Sequence, residues 1–128
     1  MSTAVTCVGL LGLLIFGLGV LVSVTRGSTK TISGFKPDPT DRLYKAVRAH
    51  GNATEYAPML AILMLVLGGR QPGVWLGWTM VVATACRYLH AAGMLMSRSL
   101  DESQPLRLVG ALGTFVTGVI LAVATLLG

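Results

Sequence analysis

The chain has 128 residues, of which 53% are hydrophobic and 12% are charged, and its formal net charge is +5. The charged fraction is about half the roughly 25% typical of soluble domains, which argues against an ordinary soluble protein. The basic excess is explained by the membrane topology below, so no nucleic-acid partner is expected. The two cysteines and two histidines have no metal-ligand spacing, so no metal site is expected. The length suits one domain spanning residues 1–128.

The first segment, Ala4–Val24, is 21 residues long and contains no charged side chain. This is enough to cross a hydrocarbon core about 30 Å thick as a helix. A cleaved signal peptide is the alternative. The segment has no basic residue at its front, is longer than the usual apolar region, and is not followed by a typical cleavage site. It is therefore interpreted as a retained membrane helix.

Three further segments follow in chain order. The second, Asp41–Leu67, ends in an apolar run, and the third, Gly73–Met96, is apolar except for Arg87 and His90. The fourth, Leu106–Leu127, is almost entirely apolar and carries small residues every four positions, which favour close helix contacts within or between protomers. These small residues are Gly110, Thr114, Gly118 and Ala122. The connections are formed by helix-breaking glycine and proline residues between positions 68 and 73 and by polar residues between positions 98 and 104. The chain is therefore predicted to be an all-α membrane protein with four transmembrane helices.

The basic residues predict the orientation of these helices. Seven basic residues lie in the connection after the first segment, in the connection before the fourth segment and in the helix starts that adjoin them. The connection on the other side of the membrane holds only Arg70. Under the positive-inside rule, the basic side is cytoplasmic and both termini are non-cytoplasmic. The seven are Arg26, Lys30, Lys36, Arg42, Lys45, Arg98 and Arg107.

The second segment carries the main functional candidates. Arg48, Asn52 and Glu55 are spaced i, i+4 and i+7, which places them in one stripe on a helix. The antiparallel arrangement brings Arg87 and Arg107 into the same half of the membrane. Charged groups inside a membrane are costly and often functional. An excess of arginines suggests an anionic ligand.

Structural interpretations of the same residues remain open. Arg48 and Arg107 would then extend to the headgroups, and Glu55 and Arg87 would form an ion pair that joins the second and third helices. His50 faces away from the stripe and would only bond to a neighbouring helix.

The segment Arg48–Pro58 reads RAHGNATEYAP and resembles the second-helix signature of the MAPEG family, the membrane-associated proteins of eicosanoid and glutathione metabolism. Cys86–Gly93 and Pro105–Leu108 are similar to further motifs of this family. The likeness covers nearly the whole chain and is closest to small bacterial members. It implies a homotrimer in the bacterial inner membrane that binds glutathione as co-substrate between protomers.

The resemblance also implies roles for individual residues. Arg107 matches the arginine that stabilises the glutathione thiolate and is the predicted catalytic residue. The chain departs from the eicosanoid-metabolising members at Met94, where they carry a tyrosine, and at His90, which replaces a tyrosine of one branch. The residues predicted to contact glutathione are Arg26, Arg48, His50, Asn52, Glu55, Tyr56, Arg87 and His90.

The implied function is that of a membrane-embedded transferase or peroxidase that joins glutathione to lipophilic electrophiles or reduces peroxides with it. The chemistry agrees, because arginines pair with the carboxylates of the peptide, Glu55 suits its ammonium, and a fixed cation favours its thiolate. Two alternatives remain open. One is a small transporter whose Glu55 binds a proton or a cationic drug, and the other is a catalytically inactive structural membrane protein of the same fold.

Overall fold

A computed structural model describes all residues from Met1 to Gly128 and contains four α-helices and no strands. The helices are α1 (Thr3–Thr29), α2 (Arg42–Gly68), α3 (Val74–Met96) and α4 (Pro105–Leu127). The predicted all-α, four-helix architecture is therefore confirmed.

The largest difference from the predicted boundaries lies at the end of α1, which continues five residues beyond Val24. Hydroxyl groups in this extension bond back to carbonyl oxygens of the preceding turn, as Thr25 does to Leu21 at 2.7 Å. Lys30 then ends the helix in the left-handed conformation, with φ of 53°. Arg26 was expected in the loop, and it lies instead in the last turn of α1.

Polar side chains fix the starts of three helices. Ser2, Asp41 and Gln104 each accept a hydrogen bond from a backbone N–H in the first turn of α1, α2 and α4 respectively. Pro105 occupies the first turn of α4, where its missing N–H has no cost. These caps explain why the start of α4 lies within one residue of the predicted boundary.

The helices run alternately up and down. α1 packs along α2, and α3 packs along α4, while α2 and α3 meet at the centre and α1 and α4 do not touch. At one end, Lys45 Nζ donates to the Ser97 carbonyl oxygen at 3.0 Å. At the other end, Arg70 Nη1 donates to the Thr125 carbonyl oxygen at 2.9 Å. These two hydrogen bonds join segments that the predicted topology places on the same side of the membrane.

The first of these ends, where α1 and α3 finish, is called the basic end. It carries eight basic side chains against four acidic ones. Thr40 donates from its backbone N–H and its hydroxyl to Asp38, and these bonds lower the pKa of the Asp38 carboxyl below its ordinary value. The eight are Arg26, Lys30, Lys36, Arg42, Lys45, Arg48, Arg98 and Arg107, and the four are Asp38, Asp41, Asp101 and Glu102.

Three helices, α1, α2 and α4, are long and apolar enough to cross a membrane, which fits an integral membrane protein. α3 has 23 residues but is not apolar enough to be counted with these three. It contains Arg87 and His90, and the bundle buries both side chains. α3 therefore places its polar groups against the other helices.

Candidate functional site

One face of α2 carries the predicted polar stripe. Arg48 and Glu55 are exposed on the surface of the protomer, and Asn52 between them is partly buried. The opposite face of α2 is formed by alanines, including Ala49, Ala53 and Ala57, which are fully buried. Because these side chains are small, α1 and α3 pack closely on that face and leave the polar face uncovered.

Arg87 supports this stripe from inside the bundle. Its side chain is only 1% exposed. Nη2 donates to Asn52 Oδ1, and Nη1 donates to Thr114 Oγ1 at 3.3 Å. The guanidinium also lies over the ring of Tyr56, with 5.2 Å from Cζ to the ring centroid. One buried cation thus joins α2, α3 and α4.

These contacts fix the orientation of the Asn52 amide. A guanidinium can only donate hydrogen bonds, so the Asn52 atom that it meets must be the oxygen. The amide NH₂ group of Asn52 is then left to donate to another partner. Arg87 itself retains one buried nitrogen, Nε, that has no hydrogen-bond partner. Arg87 thus donates hydrogen bonds to the Asn52 amide and the Thr114 hydroxyl, whereas the side chain of Glu55 is exposed at the surface.

A groove between α2 and α4 begins beside the stripe. Its volume is about 390 Å³, and Glu55 and Tyr56 lie at its polar end. The Tyr56 ring packs against Phe115 with 5.6 Å between ring centroids. The remaining lining is almost entirely apolar and includes Met59 and Leu63. The polar stripe therefore adjoins a surface suited to a lipophilic molecule.

A larger cavity, of about 600 Å³, lies at the opposite end of the bundle. The start of α1 and the turn between α2 and α3 line it, and no charged side chain does so. It shares no lining residue with the groove between α2 and α4. We therefore place the candidate site at the stripe.

His90 and Met94 lie on the buried face of α3 at the two positions compared with tyrosines. His90 is 7% exposed, and its Nδ1 has no hydrogen-bond partner. Met94 packs in an apolar cluster that includes Leu14, Leu18, Ala49 and Ala53. Gly110 of α4 lies directly against the His90 backbone, where a Cβ would come within 2.5 Å of the His90 nitrogen.

Arg107 lies in the first turn of α4. Its backbone N–H donates to Gln104 Oε1, and its Nη1 donates to the Leu100 carbonyl oxygen at 2.9 Å. The guanidinium is partly buried, and only this one of its five N–H donors is engaged. The side chain is therefore held at the basic end with donors available for an anion.

The other two predicted residues contact α1 or its following loop. Arg26 Nη1 donates to the Gly34 carbonyl oxygen at 2.6 Å. The His50 ring lies against Gly19 of α1, since a Cβ on that glycine would be 3.4 Å from His50 Nε2. The structure thus brings Asn52, Tyr56 and Arg87 into direct contact, and it places Arg26 and His50 elsewhere.

Thr114 is a site residue that the sequence identifies only as one of the small residues spaced four apart on the fourth helix. In the structure, Gly110 and Thr114 face α3 within the protomer, and Gly118 lines the α2–α4 groove. The signal for Thr114 was its hydroxyl in an apolar helix, because such a group usually bonds within its own helix or to a buried polar neighbour. Thr114 does both, since it also donates to the Gly110 carbonyl oxygen at 2.7 Å.

The stripe provides a cation, an amide and a carboxylate along about 10 Å of helix. A ligand with both carboxylate and ammonium groups would match this order.

Neither a curated protein nor a solved structure gave a significant match to the chain. The sequence model of the MAPEG family matches residues 4–127, nearly the whole chain. The matched range includes the segment Arg48–Pro58, which forms the stripe and holds Asn52 and Tyr56 against Arg87. The chain therefore belongs to the MAPEG family.

Proposed function

We propose that this protein binds glutathione at the α2 stripe and uses its thiolate to attack lipophilic electrophiles or peroxides. The observation that carries the proposal is the stripe of Arg48, Asn52 and Glu55, supported by the buried Arg87 and open to the apolar groove. Arg48 would pair with a carboxylate of the peptide, Glu55 with its ammonium, and the Asn52 amide would donate a hydrogen bond.

In this proposal, Arg87 positions Asn52 and Tyr56 from behind the site, because its guanidinium is enclosed by protein groups. The roles of Arg26, His50 and His90 as glutathione contacts stay predictions from the family resemblance. We expect glutathione binding to be weak, because Met94 and His90 lack the tyrosine hydroxyls of the eicosanoid-metabolising members. The buried position of Met94 among apolar side chains is consistent with that expectation.

Arg107 would act on the sulfur. The glutathione thiol loses its proton to solvent, and the cationic guanidinium stabilises the thiolate that remains. In conjugation, the sulfur electron pair forms the new bond to the electrophile, and the leaving group departs with its own electron pair. In peroxide reduction, the thiolate attacks the outer peroxide oxygen and the O–O bond breaks, which gives a sulfenic acid and an alkoxide. The alkoxide takes a proton from solvent to become the alcohol. A second glutathione then converts the sulfenic acid to the disulfide and water.

Glutathione binding tests the proposal directly. Detergent-purified protein is titrated with glutathione while its thermal unfolding and the ultraviolet absorbance of the thiolate are followed. We expect stabilisation at millimolar peptide by the parent and loss of that effect in Arg48→Ala, because a peptide carboxylate is then left without its charged partner. Arg98→Ala is the matched control, since it removes an exposed arginine at the same end of the bundle.

The rival functions give different results in this experiment. Glu55 lies thirteen residues from either end of α2, halfway along the helix, where a transporter would also place a carboxylate. A transporter would be stabilised by a lipophilic cation in a Glu55-dependent manner and would ignore glutathione. An inactive structural protein would respond to neither ligand. No stabilisation by glutathione in the parent would therefore overturn the proposed function.

A further inference from the structure

The length of α1 indicates that its last turn reaches the lipid headgroups when the helix crosses a membrane. α1 contains 27 residues, and at 1.5 Å per residue it is about 40 Å long. A bilayer that includes both headgroup layers is about 40–45 Å thick. A helix of this length that crosses the membrane reaches both headgroup layers. Arg26 and the C-cap residue Lys30 are then in the layer on the basic side.

A cavity of about 380 Å³ opens at this point of α1. It is lined by Arg26, Gly27, Lys30, Thr31 and Ile32, and no acidic side chain lines it. The hydrogen bond from Arg26 to the Gly34 carbonyl oxygen, at 2.6 Å, fixes the guanidinium and leaves its other donors unused. Lys30 is exposed beside it. The cavity therefore combines a positioned cation with an exposed one.

The same cavity has an apolar side chain at its edge. Ile32 is 97% exposed, although aliphatic side chains gain free energy when they leave water. At headgroup depth, such a side chain can contact the acyl-chain boundary while the neighbouring cations contact phosphates. The combination of two cations and one exposed isoleucine fits a phospholipid better than it fits a soluble anion.

We propose that this cavity binds the headgroup of an anionic phospholipid, with Arg26 and Lys30 on the phosphate and Ile32 on the acyl-chain boundary. The charge complementarity between the cavity and the headgroup selects this occupant. The cavity shares no residue with the stripe of Arg48, Asn52 and Glu55. Arg26 is the one residue in it that the family resemblance also assigns to glutathione, and competition between the lipid and glutathione separates the two roles.

Lipid retention measured by native mass spectrometry tests the site. The detergent-purified protein is exposed to equal amounts of phosphatidylglycerol and phosphatidylcholine, and the lipid adducts are counted. We expect the parent to retain phosphatidylglycerol in preference and Lys30→Gln to retain about fivefold less, the effect of one basic residue near an anionic surface. Arg98→Gln, which removes an exposed charge at the same end but outside the cavity, should retain as much as the parent.

Several outcomes would overturn the proposal. The first is that the parent shows no preference for phosphatidylglycerol. The second is that Lys30→Gln and Arg98→Gln lose the lipid equally, which would indicate general attraction to the basic end. Displacement of the lipid by millimolar inorganic phosphate would assign the cavity to soluble anions, and displacement by glutathione would assign Arg26 to the peptide site. If Lys30→Gln alters thermal unfolding, Ile32→Ser replaces it, and the proposal requires a reduced phosphatidylglycerol count in that variant.

Discussion

Arg87 is the largest side chain that the bundle buries completely, and Arg48, on the neighbouring helix, is exposed. Both were predicted to contact the same ligand, but their surroundings differ. Arg87 has partners on α2 and α4, whereas the structure gives Arg48 no cross-helix contact of this kind. Removing a buried side chain that satisfies the hydrogen bonds of other buried groups lowers the free energy of unfolding, and removing an exposed side chain changes it little. Substitution of Arg87 should therefore affect mainly stability, and substitution of Arg48 should affect mainly ligand binding.

We predict that Arg87→Ala lowers the free energy of unfolding by about 1–3 kcal/mol, because Asn52 and Thr114 both lose a charged donor. Arg48→Ala should change it by less than about 0.5 kcal/mol. Unfolding of the detergent-solubilised variants measures both values. Combining Arg87→Ala with Asn52→Ala should give less than the sum of the single effects. A loss in Arg48→Ala as large as that in Arg87→Ala would contradict this assignment.

Arg107 should affect turnover more than affinity. Its unused donors are expected to act on the sulfur when the sulfur is charged, so its contribution is greatest along the reaction. Arg107→Ala should lower kcat for a lipophilic electrophile by about 10²-fold, with little change in the Kd of glutathione. Arg107→Lys should recover part of the rate because it retains a cation. A raised Kd with unchanged kcat would instead make Arg107 a binding residue.

At the scale of the helices, the lengths of the apolar runs and the helix-breaking residues between them predicted the boundaries of three of the four helices to within one residue at each end. The end of α1 was missed because Thr25, Ser28 and Thr29 are polar, and their hydroxyls nevertheless bond within the helix. Spacing predicted the stripe on α2, since helical periodicity alone sets which residues share a face. Spacing could not predict Thr114 as a partner of Arg87, because that contact depends on the rotation of α4 against α3.

Close contact between α3 and α4 gives a prediction at this scale. A Cβ added at Gly110 would lie 2.5 Å from the His90 nitrogen and 2.7 Å from the Cys86 carbonyl oxygen, so the two backbones must separate. We expect Gly110→Ala to destabilise the protein by about 1–3 kcal/mol. Gly17→Ala in α1 meets nothing within 4 Å and should be neutral or slightly stabilising. Equal thermal unfolding of the two variants would contradict the close approach of the α3 and α4 backbones at Gly110.

At the scale of the whole molecule, charge predicts the direction of insertion. Eight basic side chains lie at one end, and Arg70 lies at the other. The positive-inside rule then predicts that the basic end is cytoplasmic. We expect a membrane-impermeant thiol reagent to label intact cells at Gln71→Cys and to fail at Ser33→Cys, beside Gly34. Both sites are exposed, and the native Cys7 and Cys86 are buried, so the background should be low. The reverse labelling pattern would show the opposite orientation.

The exposed stripe also predicts the assembly state. Glu55 lies halfway along a membrane-spanning helix and is exposed on the surface of the protomer. A charged side chain at this depth costs roughly 2.5–3.5 kcal/mol on insertion scales, unless protein or water covers it. A neighbouring copy that covers the α2 face and the α2–α4 groove would remove this cost and enclose the glutathione site. We therefore predict a homotrimer, as the family resemblance implies.

Native mass spectrometry from a mild detergent measures this directly. We expect a trimer in the parent and a shift towards monomer when a bulky side chain is placed in the groove, as in Gly118→Trp. Gly118 faces the groove with only Leu60 near it, so the substitution should obstruct a neighbouring copy more than the protomer itself. Gly12→Trp, at a partly exposed α1 position with open space around the glycine, is the control for added bulk. Monomers alone in the parent would leave Glu55 facing lipid, and the stripe would then need an occupant other than a second copy.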